Sequence, residues 1–346
     1  MYVIRLSSSI FRKTRNKLSL KMFMYIIYFI IPLLLSIIIT KPLIAFLKEK
    51  QMVDMPNQRK NHKIPTPRGG GIAILICILI CFETIELQSH TTYYSIYLII
   101  AISICAAISL LDDAFTISIP LRMYFQILSV YLTINSLYGY NTNLLPHLSL
   151  TIEKTLIAIA LLGFINIYNF MDGIDGLAGS QTIYIATIVL IFSIIDPQID
   201  SSISYLCLSI IGSCLGFLIY NWHPAKIFMG DVGSVTLGLI CGWLLLNIAI
   251  HGYIAAAIII PGYYLADGIT TILKRLIQKK KIWHAHSEHY YQLAVRKGSS
   301  HSQVTKRIIC CNLILGILSL FSINYSIASL ILATLLLFWF LFRLVN

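Results

Sequence analysis

Amide and carboxylate side chains recur every three residues at the end of one long apolar run. They are Asn166, Asn169, Asp172 and Asp175, and a glycine follows each aspartate. On a helix this spacing puts the side chains on one broad face, and Asp175 continues it into a glycine-rich turn. Mg²⁺ prefers oxygen ligands and usually takes one or two carboxylates together with substrate phosphates. The pattern therefore predicts a metal- and nucleotide-binding site, whereas a helix cap followed by a turn would explain only one Asp and one Gly.

Two further acidic motifs border apolar runs. Asp112 and Asp113 follow the run that ends at Leu111, and Asp231 lies in Phe228-Met-Gly-Asp-Val-Gly-Ser234, which opens another run. Adjacent carboxylates repel each other unless a cation or a basic partner compensates. Asp112 and Asp113 therefore predict a Mg²⁺ or phosphate site in which one carboxylate can act as a base. A helix start such as the one at Asp231 can bind phosphate through free backbone N–H groups. A solvated helix end and a plain N-cap are the structural alternatives.

Basic residues and histidines supply candidate phosphate contacts. Arg68 lies in Pro67-Arg-Gly-Gly-Gly71, where glycines permit close backbone packing. His284, His286 and His289 cluster in a long basic loop. Three histidines could bind zinc, but no cysteine lies nearby and one short segment rarely supplies a whole zinc site. Contacts with a diphosphate and a sugar fit better, and a purely structural loop is the alternative.

Two isolated charges complete the set of candidate residues. Lys226 lies in the short loop that precedes Phe228. Asp267 lies inside an apolar run, eight residues before Arg275. It either pairs with a cation at the helix end or lines the site.

Membrane helices must position these residues. The chain has 346 residues, of which 58% are hydrophobic and 12% charged, and its mean hydropathy is +0.81. Long apolar runs recur and alternating-polarity strands are absent, so we predict an all-α, polytopic integral membrane protein with about eleven transmembrane helices. The second span is short, and Pro261-Gly262 interrupts the ninth. The predicted spans are 23–47, 71–86, 93–111, 121–138, 154–171, 177–195, 203–220, 233–251, 253–274, 307–322 and 325–344.

The distribution of basic residues predicts the orientation. Every polar motif falls in loops on one predicted face, and most Lys and Arg residues lie there too, which puts that face in the cytoplasm. The net charge of +12 then reflects topology and anionic membrane lipids rather than nucleic acid. Residues 1–21 conflict with this rule because they are basic on the opposite side. They are either an extension or untranslated sequence before a start at Met22 or Met24, and residues 22–346 form a single transmembrane domain.

Four motifs resemble the polyprenyl-phosphate N-acetylhexosamine-1-phosphate transferase family, also called glycosyltransferase family 4. They are Pro67–Gly71, Leu111–Asp113, Asn166–Gly179 and Phe228–Ser234, in this order and separated by matching numbers of spans. The likeness extends from about Pro42 to the last spans. It implies that a UDP-N-acetylhexosamine gives its sugar-1-phosphate to undecaprenyl phosphate with release of UMP, assisted by Mg²⁺ or, as an alternative, Mn²⁺.

The resemblance also implies residue roles. Asp112 or Asp113 would deprotonate or orient the lipid phosphate. The nucleotide and the metal shell would be held by Asn166, Asp172 and Asp175. The implied catalytic residues are Asp112, Asp113, Asp172 and Asp175. The implied metal ligands are Asp231 and Asn169. The implied substrate-binding residues are Arg68, Asn166, Lys226, Asp267, His284, His286 and His289.

The histidine segment predicts the branch of the family. Trp283-His-Ala-His-Ser-Glu-His-Tyr-Tyr-Gln292 lacks the consecutive histidines of the peptidoglycan enzyme and the Arg-Asp-His pattern of GlcNAc-1-phosphate transferases. It looks most like the O-antigen-initiating branch that uses deoxy-N-acetylhexosamines such as FucNAc or QuiNAc. The expected donor is a UDP-sugar that carries GlcNAc or such a deoxy-N-acetylhexosamine. The expected location is the bacterial inner membrane, and the chain could also form a homodimer. Phospho-N-acetylmuramoyl-pentapeptide transferase is one alternative. A transporter or lipid-binding protein is another, although a transporter usually sets its site near the midplane.

Overall fold

The computed structural model describes the backbone of residues 2–55, 65–89, 92–137, 144–281 and 286–346, and the side chains of the same ranges except 2–19 and 86–95. Most of these described residues are helical, and they form only two strands, of two residues each. The elements are α1 (Tyr2–Glu49), β1 (Val53–Asp54), β2 (Thr66–Pro67), α2 (Gly71–Ser89), α3 (Thr92–Phe115), α4 (Ile119–Leu137), α5 (Leu150–Phe170), α6 (Leu177–Ile195), α7 (Ser201–Asn221), α8 (Asp231–Ile250), α9 (Ile254–Ile259), α10 (Gly262–Ile277), α11 (Tyr290–Arg296), α12 (His301–Phe321) and α13 (Ser326–Val345).

The expected all-α, polytopic membrane architecture is confirmed, but the count of eleven spans is not. Within the described residues, eight helices are long and apolar enough to cross a membrane: α1 from Leu20 onward, α3 from Ile96 onward, α5, α6, α7, α8, α12 and α13. Helix α2 offers only a shorter apolar segment, and α4 carries Arg122 and Gln126 among its apolar residues. The expected ninth span is divided into α9 and α10 at Ile260-Pro261, because proline has no N–H to continue the helix ladder.

Helix α8 forms the centre of the bundle. In its most apolar stretch 83% of the residues are buried, whereas the corresponding share is 17% for α1 and 22% for α13. Helices α1 and α13 therefore lie at the periphery. Small residues let the neighbours of α8 approach closely. A side chain at Gly238 would press on Tyr168 of α5, and one at Gly242 would overlap Leu161. Such small-residue contacts are the usual means by which membrane helices pack, since lipid offers no hydrophobic driving force between them.

A short backbone pairing joins the start of α2 to the start of α8. Strand β2 pairs with β1 and then runs beside Phe228, whose N–H donates to the Pro67 carbonyl at 2.8 Å. The Gly71 N–H donates to the Met229 carbonyl, also at 2.8 Å. A Cβ on Gly71 would overlap the backbone of Gly233, so only glycine permits this approach. The pairing brings the glycine-rich motif at Arg68 next to the beginning of α8.

Candidate active site at the ends of the membrane helices

Three aspartates and two arginines meet where α3 ends and α8 begins. Arg68 donates from Nε to Asp113 Oδ1 at 2.8 Å and from Nη2 to Asp231 Oδ1. Arg122, in the first turn of α4, donates from Nη1 to Asp112 Oδ2. The same nitrogen lies 3.5 Å from Asp231 Oδ2. Asp231 is therefore held between two guanidinium groups. We call these five residues the arginine–carboxylate cluster.

Asp113 caps the first turn of α8. Its two carboxylate oxygens accept hydrogen bonds from the backbone N–H groups of Asp231 and Val232, each at 3.0 Å, and its side chain is fully buried. A carboxylate at a helix N-terminus is favoured by the helix dipole. Gly230 has φ +76°, and a Cβ there would lie 2.7 Å from Asp113 Oδ2. Asp113 therefore fixes where α8 begins, and with it the position of Asp231.

Asp112 faces a cleft instead. Its Oδ1 accepts from the Ile117 N–H at 2.7 Å, and its other oxygen is bound to Arg122. The cleft has a volume of about 140 Å³ and lies between α3, α4, α5 and the start of α8. Its lining residues are Ile108, Ser109, Asp112, Ile119, Arg122, Met123, Gln126, Asn166, Asn169, Phe170, Asp231 and Val235.

The two asparagines of α5 lie on the cleft side of the helix. Asn166 donates to Gln126 Oε1 at 3.1 Å, and Asn169 Oδ1 accepts from the Ser234 hydroxyl at 2.6 Å. Asp172 follows α5 directly. Burial, and then the charge of Asp231, raises the pKa of Asp172 well above its usual range. Its carboxyl group therefore takes up a proton more readily than an exposed aspartate does, and a nearby cation would counter this effect.

The donor chemistry of this region fits a hard divalent cation. Four carboxyl groups lie here with only two guanidinium groups, so acidic side chains outnumber basic ones. The acidic residues are Asp112, Asp113, Asp172 and Asp231, and the basic ones are Arg68 and Arg122. The charges of Asp231 and Asp113 outweigh the effect of burial and raise the pKa of Arg68 above its ordinary value, so it stays charged. Asn169 Oδ1 keeps a second lone pair beside its bond from Ser234. Asp231, Asp112 and Asn169 are the residues that would hold Mg²⁺, because that ion prefers carboxylate and amide oxygens.

A second cluster surrounds Asp175. His223 Nδ1 lies 2.6 Å from Asp175 Oδ2, and His301 Nδ1 lies 3.1 Å from Oδ1. Burial alone would raise the pKa of Asp175, but hydrogen bonds from His301 and His223 outweigh it and lower the pKa. One ligand atom from each of the three residues lies within 4.8 Å of the others. Two imidazoles and a carboxylate are a zinc-type donor set rather than a magnesium-type one. The structure places Asp175 here and not in the arginine–carboxylate cluster.

A third cluster holds the described part of the histidine loop. His289 Nδ1 lies 3.0 Å from Asp267 Oδ1, and the His289 ring stacks on His286 with centroids 5.0 Å apart. Phe170, which lines the cleft, lies 6.4 Å from the His286 ring. Burial, followed by the positive charges nearby, lowers the pKa of His286 to about 4, so its ring is neutral at physiological pH. Next to the pair, Arg275 donates to a glutamate of the loop at 2.8 Å.

The predicted site residues therefore divide into three groups and two outliers. Lys226 is exposed in the loop before Phe228. His284 and the neighbouring Trp283 lie outside the described residues. The cleft group contains Arg68, Asp112, Asp113, Asn166, Asn169 and Asp231, with Asp172 beside it.

Sequence comparisons show which known proteins this chain is similar to. The profile of glycosyl transferase family 4 matches residues 95–249, which include Asp112, Asp113, both asparagines and Asp231. A probable undecaprenyl-phosphate N-acetylglucosaminyl 1-phosphate transferase of Bacillus subtilis is 29% identical over 81% of this chain and 80% of its own length. A phospho-N-acetylmuramoyl-pentapeptide-transferase of Caldicellulosiruptor bescii is 28% identical over 78% of this chain and 87% of its own. A decaprenyl-phosphate N-acetylglucosaminephosphotransferase of Mycobacterium leprae is 30% identical over 55% and 52%.

The segment that carries the cleft, residues 95–249, is thus similar to glycosyl transferase family 4. The protein is an integral membrane enzyme of the phosphosugar transferase type. Four residues of the described clusters are not among those that the sequence predicts: Arg122, Gln126, His223 and His301. Arg122 did carry a signal, because a charge at the start of an otherwise apolar span is costly and usually functional. The two histidines carried none, since each is an isolated residue that only the fold brings to Asp175.

Proposed function

We propose that this protein transfers N-acetylhexosamine-1-phosphate from a UDP-sugar to undecaprenyl phosphate and releases UMP. The observation that carries the proposal is the arginine–carboxylate cluster, which opens to a cleft at the ends of apolar helices. A lipid phosphate can enter such a cleft while its hydrocarbon tail stays in the bilayer. The match of residues 95–249 to family 4 and the activities named for the similar proteins support the same reaction.

The chemistry needs positioned charge more than covalent assistance. An oxygen of the lipid phosphate attacks the phosphorus that carries the sugar, the bond from that phosphorus to the bridging oxygen breaks, and UMP leaves with this oxygen and the electron pair. Charge accumulates on the phosphoryl oxygens, so fixed positive groups stabilise the transition state. Arg68 and Arg122 suit this role because their side chains remain 38% and 34% exposed and can exchange carboxylate partners for phosphate oxygens.

The two adjacent aspartates take different tasks in this proposal. Asp112 lines the cleft and orients the incoming lipid phosphate or accepts its proton. Asp113 is buried against the first turn of α8 and holds Asp231 in place. Mg²⁺ bound by Asp231 and Asn169, with Asp112 adjacent, would supply neutralisation of the diphosphate charge. The cleft is the better site for Mg²⁺ than the cluster at Asp175, because its ligands are oxygens rather than imidazole nitrogens. The same oxygens would also accept Mn²⁺.

The narrower parts of the proposal concern the donor, the pathway and the orientation. We propose that GlcNAc or a deoxy-N-acetylhexosamine such as FucNAc or QuiNAc is the sugar, and that the product starts O-antigen-type lipid-linked polysaccharide at the cytoplasmic face of the bacterial inner membrane. The divergent segment Trp283–Gln292 supports this branch, together with the basic residues of the motif-bearing loops. A homodimer stays a prediction from the sequence.

A second candidate is the phospho-N-acetylmuramoyl-pentapeptide transferase reaction. Relatives named for that reaction match most of the chain, including one from Clostridium novyi that is 26% identical over 89% of this chain and 99% of its own length. The two candidates share the acceptor and differ in the donor. Turnover of UDP-MurNAc-pentapeptide in preference to smaller UDP-N-acetylhexosamines would replace the first proposal by the second.

The decisive experiment measures UMP release by the purified protein in detergent. The reaction contains undecaprenyl phosphate, Mg²⁺ and one of four donors: UDP-GlcNAc, UDP-FucNAc, UDP-QuiNAc or UDP-MurNAc-pentapeptide. We expect UMP with at least one of the first three donors, dependent on both the lipid and the cation. Chelation should abolish it and added Mg²⁺ should restore it. Absence of UMP from every donor, with UDP-sugar or lipid still bound, would instead favour a transporter or lipid-binding protein.

A further inference from the structure

Asp267 lies on α10 with a fully buried side chain, and both of its oxygens are occupied by protein donors. Oδ1 accepts from His289 Nδ1 at 3.0 Å and from the Tyr290 N–H at 3.1 Å. Oδ2 accepts from the Tyr263 hydroxyl at 3.0 Å and from the Tyr291 N–H at 3.2 Å. A carboxylate with this many donors has little capacity left for a substrate. The arrangement is that of a group that holds other residues in position.

The hydrogen bond to Asp267 decides which nitrogen of the His289 ring is available to another partner. A carboxylate accepts and does not donate, so the shared hydrogen belongs to Nδ1 of His289. Nε2 is then the nitrogen left for another partner, and it becomes a hydrogen-bond donor when the ring carries its second proton. Within the described part of the chain, Nε2 of His289 is buried and has no hydrogen-bond partner, and the same is true of Nδ1 of His286. Buried polar atoms without partners are costly, which points to a ligand that satisfies them.

The surroundings place this free nitrogen beside the cleft. The His289 ring lies 6.2 Å from Phe170, and the stacked His286 ring lies 6.4 Å from it. Phe170 is also one of the residues that line the cleft. The ligand that meets both histidines is therefore adjacent to the ligand that meets the arginine–carboxylate cluster. An oxygen of a diphosphate is the group common to the two: with a proton on each ring nitrogen, His289 donates from Nε2 to that anionic oxygen while the carboxylate of Asp267 balances its positive charge.

The same aspartate fixes the helix that begins directly after His289. Helix α11 begins at Tyr290, and its first two N–H groups are capped by Asp267. Tyr291 donates from its hydroxyl to the Phe170 carbonyl at 2.8 Å. A Cβ on Gly173 would overlap that hydroxyl, so α11 rests directly on the loop that follows α5. One buried carboxylate thus sets the ring orientation of His289 and the contact between α11 and the Asp172 loop.

We propose that Asp267 is the positioning residue of the histidine loop, which holds Nδ1 of His289 so that Nε2 meets a diphosphate oxygen of the substrate. The inference rests on the proposed function for the identity of that substrate. It differs from the expectation that Asp267 binds the substrate itself, because both of its oxygens are used inside the protein.

A double-mutant cycle tests whether Asp267 acts through His289. The variants are Asp267→Asn, His289→Gln and the double variant. The readouts are the Kd of inorganic diphosphate and the kcat for UMP release. We expect each single change to weaken diphosphate binding by about tenfold or more, the scale of one charge-assisted hydrogen bond. The double variant should bind no more weakly than His289→Gln alone, and kcat should show the same lack of additivity.

The controls separate positioning from general stability. Tyr263→Phe removes a donor to Asp267 Oδ2 and leaves the bond between Asp267 and His289 intact. It should lower the melting temperature in detergent while diphosphate binding stays within about twofold of wild type. Losses that multiply in the double variant, or equal losses in Tyr263→Phe and Asp267→Asn, would overturn the inference. So would a wild-type protein that binds no diphosphate. Diphosphate binding with the expected cycle but without UMP release from any donor would remove the proposed function alone.

Discussion

Asp112 and Asp113 are adjacent in the chain, but their side chains lie in different environments. Asp113 is completely buried and bonds to two backbone N–H groups of α8, so its charge is committed to the helix start. Asp112 opens to the cleft and shares Arg122 with Asp231. Substitutions at the two positions should therefore separate activity from stability.

Asp112→Asn and Asp231→Asn should each lower UMP release by roughly a hundredfold, the scale of losing a key electrostatic group, while the protein folds normally. The substitutions are nearly isosteric and remove charge from the cleft. Asp200→Asn is the matched control, because Asp200 caps the N-terminus of α7 at the opposite end of the bundle and asparagine caps a helix equally well. Wild-type turnover of either cleft variant under saturating Mg²⁺ would contradict these roles.

Asp113→Asn should lose stability as well as activity. An amide can accept only one of the two bonds from the first turn of α8 and brings its own N–H groups against the helix end. We expect the free energy of unfolding to fall by about 1–3 kcal/mol, as for other buried groups that lose a partner. Thermal unfolding in detergent, compared with Asp112→Asn, measures this difference. Equal stability of the two variants would mean that the capping bonds contribute little.

The lowered pKa of His286 predicts that the stability of the folded protein depends on pH. Burial lowers its pKa to about 4 in the folded protein, below the value of about 6.5 for an unfolded chain. The unfolded state therefore binds more protons between these two values, and the folded state loses stability as the pH falls from about 6.5 to about 4. The melting temperature of wild type should drop more between pH 7 and pH 5 than that of His286→Gln, which does not titrate. Parallel curves for both proteins would refute the assignment.

At the scale of elements, the contact between α2 and α8 aligns the cleft. Gly71 and Gly233 approach so closely that neither tolerates a side chain, and Arg68 stands three residues before this contact. Gly71→Ala should displace Arg68 from Asp231, lower activity at least tenfold and cost about 1–3 kcal/mol of stability through overpacking. Activity assays and thermal unfolding measure the two effects.

The chain offers a matched control for that change in Gly163. This residue lies within α5, and a Cβ there would meet nothing within 4 Å. Gly163→Ala should keep full activity and gain up to about 1 kcal/mol, since alanine favours helix more than glycine does. Similar losses from both substitutions would show that the contact between α2 and α8 has no special importance for the site.

At the scale of the whole molecule, the site residues share one end of the bundle. Helix α3 and helix α5 end there and α8 begins there, whereas the turn between α6 and α7 lies at the other end. We expect the site end to face the cytoplasm because its loops carry the basic residues. In a variant without native cysteines, Gln278→Cys should resist an impermeant thiol reagent in intact cells and react after lysis. Gln198→Cys, which is also exposed, should react in intact cells, and the reverse pattern would invert the topology.

The sequence by itself determined the class of protein and the parts of the cleft. Long apolar runs leave helices as the only backbone that can satisfy its own hydrogen bonds in lipid, so the membrane architecture follows from composition. Charged and amide residues at the ends of those runs are costly unless used, which identified Asp112, Asp231 and Asn169. The number of spans did not follow, because α4 mixes polar residues with apolar ones and a proline divides α9 from α10.

Only the tertiary structure decided which of these groups meet. Arg122 and Asp231 are 109 residues apart in the chain, and His301 and the backbone of Asp175 are 126 apart. No local spacing encodes such a pair, since it depends on how helices pack around α8. The division of labour between Asp112 and its neighbour Asp113 has the same origin. Their sequence context is one motif, but the packed helices bury one carboxylate under the start of α8 and leave the other at the cleft.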